Sequence, residues 1–90
     1  MKAKCEKVLV IIVTFNADQW IERCFKSVLS STCQPDIYVI DNGSQDNTLE
    51  YLHSLESEKL FIYESGVNLG FGKANNIGLT YAINKDYDYV

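Results

Sequence analysis

Val8-Leu9-Val10-Ile11-Ile12-Val13 is an unbroken apolar run in which every residue but Leu9 is β-branched. Such a run is apolar on both of its alternating faces. It suits a strand covered on both sides, as in a parallel sheet. Ile37-Tyr38-Val39-Ile40 and Leu60-Phe61-Ile62-Tyr63 repeat the pattern, and Asp86-Tyr87-Asp88-Tyr89-Val90 reads as the lead-in to a fourth strand. Between the strands the period changes. From Asp18 to Ser30, Trp20, Ile21, Cys24, Phe25, Val28 and Leu29 draw one helical face, with Asp18 placed to cap it. A second helix is expected from about Thr48 to Ser57, with Leu49, Leu52 and Leu55 on its face. A third is expected from about Gly72 to Asn84, with Ala74, Ile77, Gly78, Tyr81 and Ala82 at helical spacing. The order β-α-β-α-β-α-(β) predicts an α/β fold: three α/β/α layers on a mainly parallel sheet joined by right-handed crossovers.

Composition narrows the class. The 90 residues are 47% apolar and 22% charged, with one proline and five glycines, which reads as a single globular domain over residues 1–90. Net charge is −4 and the eight Lys and Arg are scattered. A nucleic-acid partner needs a concentrated basic face, so none is expected. Cys5, Cys24 and Cys33 lack metal-ligand spacing and read as reduced thiols. The longest apolar run falls far short of the ~20 residues of a membrane span. Residues 1–7 are too short and polar for a secretion signal. The expected compartment is the cytoplasm, or the inner face of the membrane in a longer protein.

In parallel sheets, ligands bind beyond the carboxyl ends of the strands. Three polar clusters fall there: Thr14-Phe15-Asn16, Asp41-Asn42-Gly43-Ser44-Gln45-Asp46-Asn47-Thr48, and Glu64-Ser65-Gly66-Val67-Asn68-Leu69-Gly70. Asn16 either starts a turn or shapes a loop in which Phe15 flanks a base. Asp41 directly follows an apolar strand, where its carboxylate is expected to point into the rim and accept from a base or ribose donor. Asn42-Gly43 supplies a turn tolerant of positive φ. Ser44, Asp46 and Thr48 are assigned to capping the second helix. Gly70 and Gly72 permit close backbone approach at a helix start, where amides attract phosphate. They are not a dinucleotide fingerprint. That loop follows the first strand of its unit and has a third glycine where this chain has Asn75. Lys73 either neutralises a diphosphate or sits solvated. Asn76 is placed on the buried side, tying the third helix to the rim. His53 reads as a surface histidine.

Taken together and in order, Val10 to Asn16, Val39 to Thr48 and Asn68 to Gly78 resemble the family-2 glycosyltransferases. The last stretch is similar to the N-x-G-F-x-x-A-x-N-x-G of rhamnosyltransferase-like members. The resemblance implies the Rossmann-like first part of a GT-A fold and an inverting transfer from a nucleoside diphosphate sugar, UDP- or dTDP-linked, to a glycan or lipid-linked acceptor. It implies that Thr14, Phe15 and Asn16 line the base pocket and that Asp41 pairs with the base or ribose, with Asn42 of the same turn counted among the nucleotide-binding residues. Asn68, Gly70, Gly72 and Lys73 would border the diphosphate and sugar. It also implies Mg²⁺ or Mn²⁺, which stabilises the departing diphosphate as a Lewis acid, and a carboxylate base for the acceptor. Both are expected beyond Val90, so no metal ligand and no catalytic residue is assigned within the 90 residues. Asp86 and Asp88 lie at the wrong end of their strand. The chain therefore reads as the front portion of a longer enzyme, inactive alone.

Two rival readings are a non-enzymatic nucleotide-binding module ending at Val90 and a flavodoxin-like signalling domain with Asp41 as phosphoacceptor. The latter wants several acids after the first strand, where Thr14-Phe15-Asn16 has none. The resemblance also implies strand order 3-2-1-4. With the fourth strand barely begun, one edge of residues 8–13 is expected to promote self-association.

Overall fold

Strand and helix follow one another as the apolar periods dictate. The computed structural model describes residues 6–31, 34–55 and 57–90, in the order β1 (Leu9–Thr14), α1 (Ile21–Leu29), β2 (Asp36–Asp41), α2 (Thr48–Ser54), β3 (Leu60–Glu64) and α3 (Phe71–Ile83). Cys5 and Cys33 lie outside the described residues; Cys24 is a free thiol. The sheet is wholly parallel, ordered β1-β2-β3, and Thr14 is in register with Asp41, and Asp41 with Glu64. A row of polar side chains thus ends the three strands at one level.

The two faces of the sheet are covered separately. Ile12, Ile37, Val39, Leu60 and Ile62 form one cluster with Ile21, Phe25 and Val28 of α1 and Leu49 and Leu52 of α2. On the other face α3 lies across β1 and β2. Its Tyr81 ring sits 4.7 Å from Tyr38 and 5.9 Å from Phe61, centroid to centroid. Small residues bring α3 close: Ala74, Gly78 and Ala82 are its buried positions. A Cβ on Gly78 would lie 2.7 Å from Cγ2 and 2.8 Å from Cδ1 of Ile11. The expected three-layer α/β/α arrangement is the one observed.

The fourth strand begins where the sequence places it. Val8 and Tyr89 form a parallel bridge, and Leu9 N donates to Tyr89 O at 3.0 Å. Tyr87 Oη reaches over to donate to Asp36 Oδ2 at 2.6 Å, and burial with that carboxylate beside it raises the Tyr87 phenol well above its usual range. The bridge sets Tyr89 on the open edge of β1, the side that the order 3-2-1-4 gives to a fourth strand. Beyond Leu9, the outer edge of β1 has no strand partner among the described residues.

Helix starts differ from expectation. α1 begins at Ile21 with Trp20 at the cap position, not at Asp18. Asn76 is exposed rather than on the buried side of α3. The first difference traces to the rim, where the Asp18 side chain accepts from Asn47 N of the second loop instead of capping its own helix.

Candidate functional site at the strand rim

Asp41 anchors the rim. Its side chain is fully buried, and a buried carboxylate is tolerated only when donors surround it. It has three: Thr14 Oγ1 at 2.7 Å and Ser44 Oγ at 2.6 Å on Oδ1, and Ser44 N at 2.9 Å on Oδ2. Its carbonyl also accepts from Ser65 N and Ser65 Oγ, at 3.0 and 2.9 Å. The expectation that this carboxylate points outward to a base or ribose is corrected here. It points inward, because strand register sets the Thr14 hydroxyl beside it.

Capping also gives way to cross-loop bonding. Three consecutive amides of the first loop are received by side chains of the second. Asn16 N donates to Ser44 Oγ at 2.9 Å, Ala17 N to Thr48 Oγ1 at 2.8 Å, and Asp18 N to Asp46 Oδ2 at 3.1 Å. In return Gln45 N donates to Asn16 Oδ1 at 2.8 Å and Asn47 N to Asp18 Oδ2 at 3.3 Å. Ser44, assigned from sequence to the cap of α2, bonds Asp41 and Asn16 instead. Asp46 keeps a capping role, accepting from Thr48 N at 2.9 Å and Thr48 Oγ1 at 2.5 Å. Burial alone would push Asp46 up, but the donors from Thr48 and Asp18 outweigh it and hold its carboxyl below the ordinary aspartate value.

The third loop is tied in by Asn42, itself only 3% exposed. Asn42 Oδ1 accepts from Leu69 N at 3.2 Å, and Asn42 Nδ2 donates to Gly70 O at 3.4 Å. Gly43, at φ +80°, passes 3.0 Å (measured to an added Cβ) from the Val67 backbone, so only glycine fits there. Asn68 Oδ1 accepts from Gly70 N at 2.8 Å and so closes the loop. Gly70 then caps α3 with no side-chain bond to the helix, and the first turn has no acid. The first helical bond is Ala74 N to Gly70 O, so the Phe71, Gly72 and Lys73 amides have no partner within the helix. An added Cβ on Gly72 would meet nothing within 4 Å, which leaves that backbone bare. Phe15 and Phe71 stand 49% and 73% exposed, and Lys73, two residues after Phe71, is exposed as well.

Thr14, Asp41 and Asn42 are therefore inside the rim, holding it together. Phe15, Gly70, Gly72 and Lys73 are outside. Asn16 and Asn68 turn their side-chain oxygens into loop closure.

Residues 9–90 match the family described as Glycosyl transferase family 2. This chain belongs to glycosyl transferase family 2. It is 36% identical over 78 residues to an uncharacterized glycosyltransferase of Haemophilus influenzae, covering 83% of this chain and 24% of that protein. An uncharacterized glycosyltransferase of Rickettsia conorii is 35% identical over 80 residues, 88% of this chain and 13% of the relative. The poly-β-1,6-N-acetyl-D-glucosamine synthase of Staphylococcus aureus is 30% identical over 87 residues, 94% of this chain and 20% of the synthase. The chain thus spans at most 24% of the length of these family-2 relatives.

The divalent cation that family 2 implies does not fit the rim carboxylates. Asp41 is buried under protein donors, while Asp18 and Asp46 accept loop amides. Among the described residues no group of three or more His, Cys, Asp or Glu is arranged to hold a metal. Asp88 lies at the opposite end of the sheet, where its Oδ2 accepts from Lys7 N at 2.7 Å. His53 is exposed and pairs with Glu64 at 2.8 Å. A cavity of about 300 Å³ opens at that opposite end, between Lys7, Gln34, Asp36 and Lys59. No strand-to-helix loop reaches it, so the family-2 rim remains the better candidate. Among the described residues no helix is long and apolar enough to cross a membrane.

Sequence reasoning missed two structural members of this site. Ser65 holds the Asp41 carbonyl, and Ser44 joins Asp41 to the first loop. The signal for Ser44 was its spacing: an Asp followed three residues on by Ser permits the side chain to accept both the amide and the hydroxyl of that Ser.

Proposed function

We propose that the three-loop rim binds the nucleoside diphosphate of a sugar donor, and that the whole protein transfers the sugar, with inversion, to a glycan or lipid-linked acceptor. The observation that carries this is the bare start of α3. On a rim where many other amides are taken by side chains of neighbouring loops, the Phe71, Gly72 and Lys73 amides lack helix partners and stand next to an exposed ammonium. Free amides at the positive end of a 13-residue helix suit phosphate oxygens. The exposed Phe15 ring offers a face for the base. Asp41 and Asn42 act here by shaping the rim rather than by direct contact.

The Asn68 to Gly78 stretch, similar to rhamnosyltransferase-like members, favours a dTDP- or UDP-sugar. The name of the Staphylococcus aureus relative supports a polysaccharide product. Metal ligands and the acceptor base are assigned to parts of the protein beyond these 90 residues. We assign the reaction to the cytoplasm or the inner face of the membrane.

Calorimetric titration with UDP, dTDP, GDP and uridine tests the reading. UDP or dTDP should bind more tightly than uridine. Lys73→Ala should weaken the diphosphate by about 1.5 kcal/mol, a charge-assisted contact, and leave uridine unchanged. Equal binding of uridine and UDP, or binding of none of the four, would contradict it.

A further inference from the structure

We propose that Asp41 and Ser44 form a bracket that positions Phe15, and that Ser44 acts on ligand binding through this bracket without touching the ligand. The inference deepens the nucleotide reading of the rim and rests on it. It begins from the chain on either side of the ring. Thr14, before Phe15, donates through Oγ1 to Asp41 Oδ1 at 2.7 Å. Asn16, after Phe15, donates through its amide to Ser44 Oγ at 2.9 Å. Ser44 Oγ in turn donates to the same Asp41 Oδ1 at 2.6 Å. Both flanks of Phe15 therefore lead to one buried carboxylate oxygen.

The chemistry of the hydroxyl makes the bracket directional. A serine hydroxyl has one proton and two lone pairs. With the proton committed to Asp41, a lone pair is left for the Asn16 amide. Ser44 N, bonded to Asp41 Oδ2 at 2.9 Å, fixes the serine backbone at the same time. Asn16 adopts φ 49°, the left-handed region that asparagine tolerates better than most residues. Gln45 N holds the Asn16 side chain at 2.8 Å, so the unusual conformation is secured from both main chain and side chain. The result is a fixed backbone bearing a half-exposed aromatic ring. A ring presented in this way stacks on a planar base with little ordering cost.

Ser44→Ala removes the hydroxyl alone, and Ser44→Thr restores it. Val28→Ala, in the core between α1 and the sheet and away from the rim, serves as a destabilised control. Two readouts are taken at a temperature where all chains are folded: hydrogen exchange of the Asn16 and Ala17 amides, and UDP affinity by calorimetry. In Ser44→Ala, Asn16 exchange should rise about tenfold, the loss of one hydrogen bond. Ala17, held by Thr48, should keep its protection. UDP affinity should fall about tenfold as well, with Ser44→Thr recovering both and Val28→Ala changing neither. Unchanged UDP affinity in Ser44→Ala, or an equal loss in Val28→Ala, would overturn the proposal. If the unsubstituted chain does not bind UDP, the nucleotide reading fails and the ligand role of Ser44 falls with it. The exchange data still judge the bracket, and unchanged Asn16 protection would refute that too.

Discussion

Asp41→Ala should destabilise the chain by about 3 kcal/mol, because it strands one buried donor and one part-buried donor, and a buried donor left unpaired costs about 1–3 kcal/mol. The Thr14 hydroxyl and the Ser44 amide both lose their acceptor, and the Ser44 hydroxyl loses its fixed direction. In a domain of this size each kcal/mol shifts the melting midpoint by about 4–8 °C, so a drop of well over ten degrees is expected. Asp41→Asn should cost less, since its amide oxygen still accepts from the hydroxyls while its NH₂ opposes the Ser44 amide. Thermal unfolding of the two variants checks this. A melting midpoint unchanged in Asp41→Ala would mean that the carboxylate is not the anchor of the rim.

Gly78→Ala should also destabilise the chain, against the helix propensity of alanine. Propensity alone favours alanine by about 1 kcal/mol in a helix interior. The added methyl, however, would lie 2.7 Å from the Cγ2 of Ile11, a stiff β-branched side chain inside the sheet–helix interface. Overpacking of this kind costs about 1–3 kcal/mol, so a net loss of about 1 kcal/mol is expected, and Gly78→Leu should lose about 3 kcal/mol or more. Ile11→Ala should cost less in the Gly78→Ala background than alone, a coupling of at least about 0.5 kcal/mol. Denaturant titration of the four chains measures it. A Gly78→Ala chain more stable than the original would show that α3 does not press on β1.

The strands were legible because burial on both faces leaves a plain mark, a β-branched run such as Val8 to Val13. Helix faces were legible from their period, and the parallel bridge of Tyr89 to Val8 appears where Asp86 to Val90 predicted the fourth strand to begin. Side-chain direction at the rim was not. An acid after an apolar strand reads as exposed, and what buries Asp41 is Thr14, distant in sequence and adjacent only through the β1–β2 register. The same holds for Ser44 and Thr48. Both were read as local caps because local bonds are all that sequence displays, whereas each spends its hydroxyl on the first loop. Asn76 was misplaced for a related reason. The tie between the α3 cap and the rim exists, but Asn42 makes it.

The central claim is that a nucleoside diphosphate sits on the outer rim, against Phe15 and the start of α3. Amide chemical-shift mapping during UDP titration tests it most directly. Shifts at Phe15, Phe71, Gly72 and Lys73, with Lys7, Gln34 and Lys59 unmoved, are the predicted result. Shifts confined to Lys7, Gln34 and Lys59, around the cavity at the opposite end of the sheet, would contradict it.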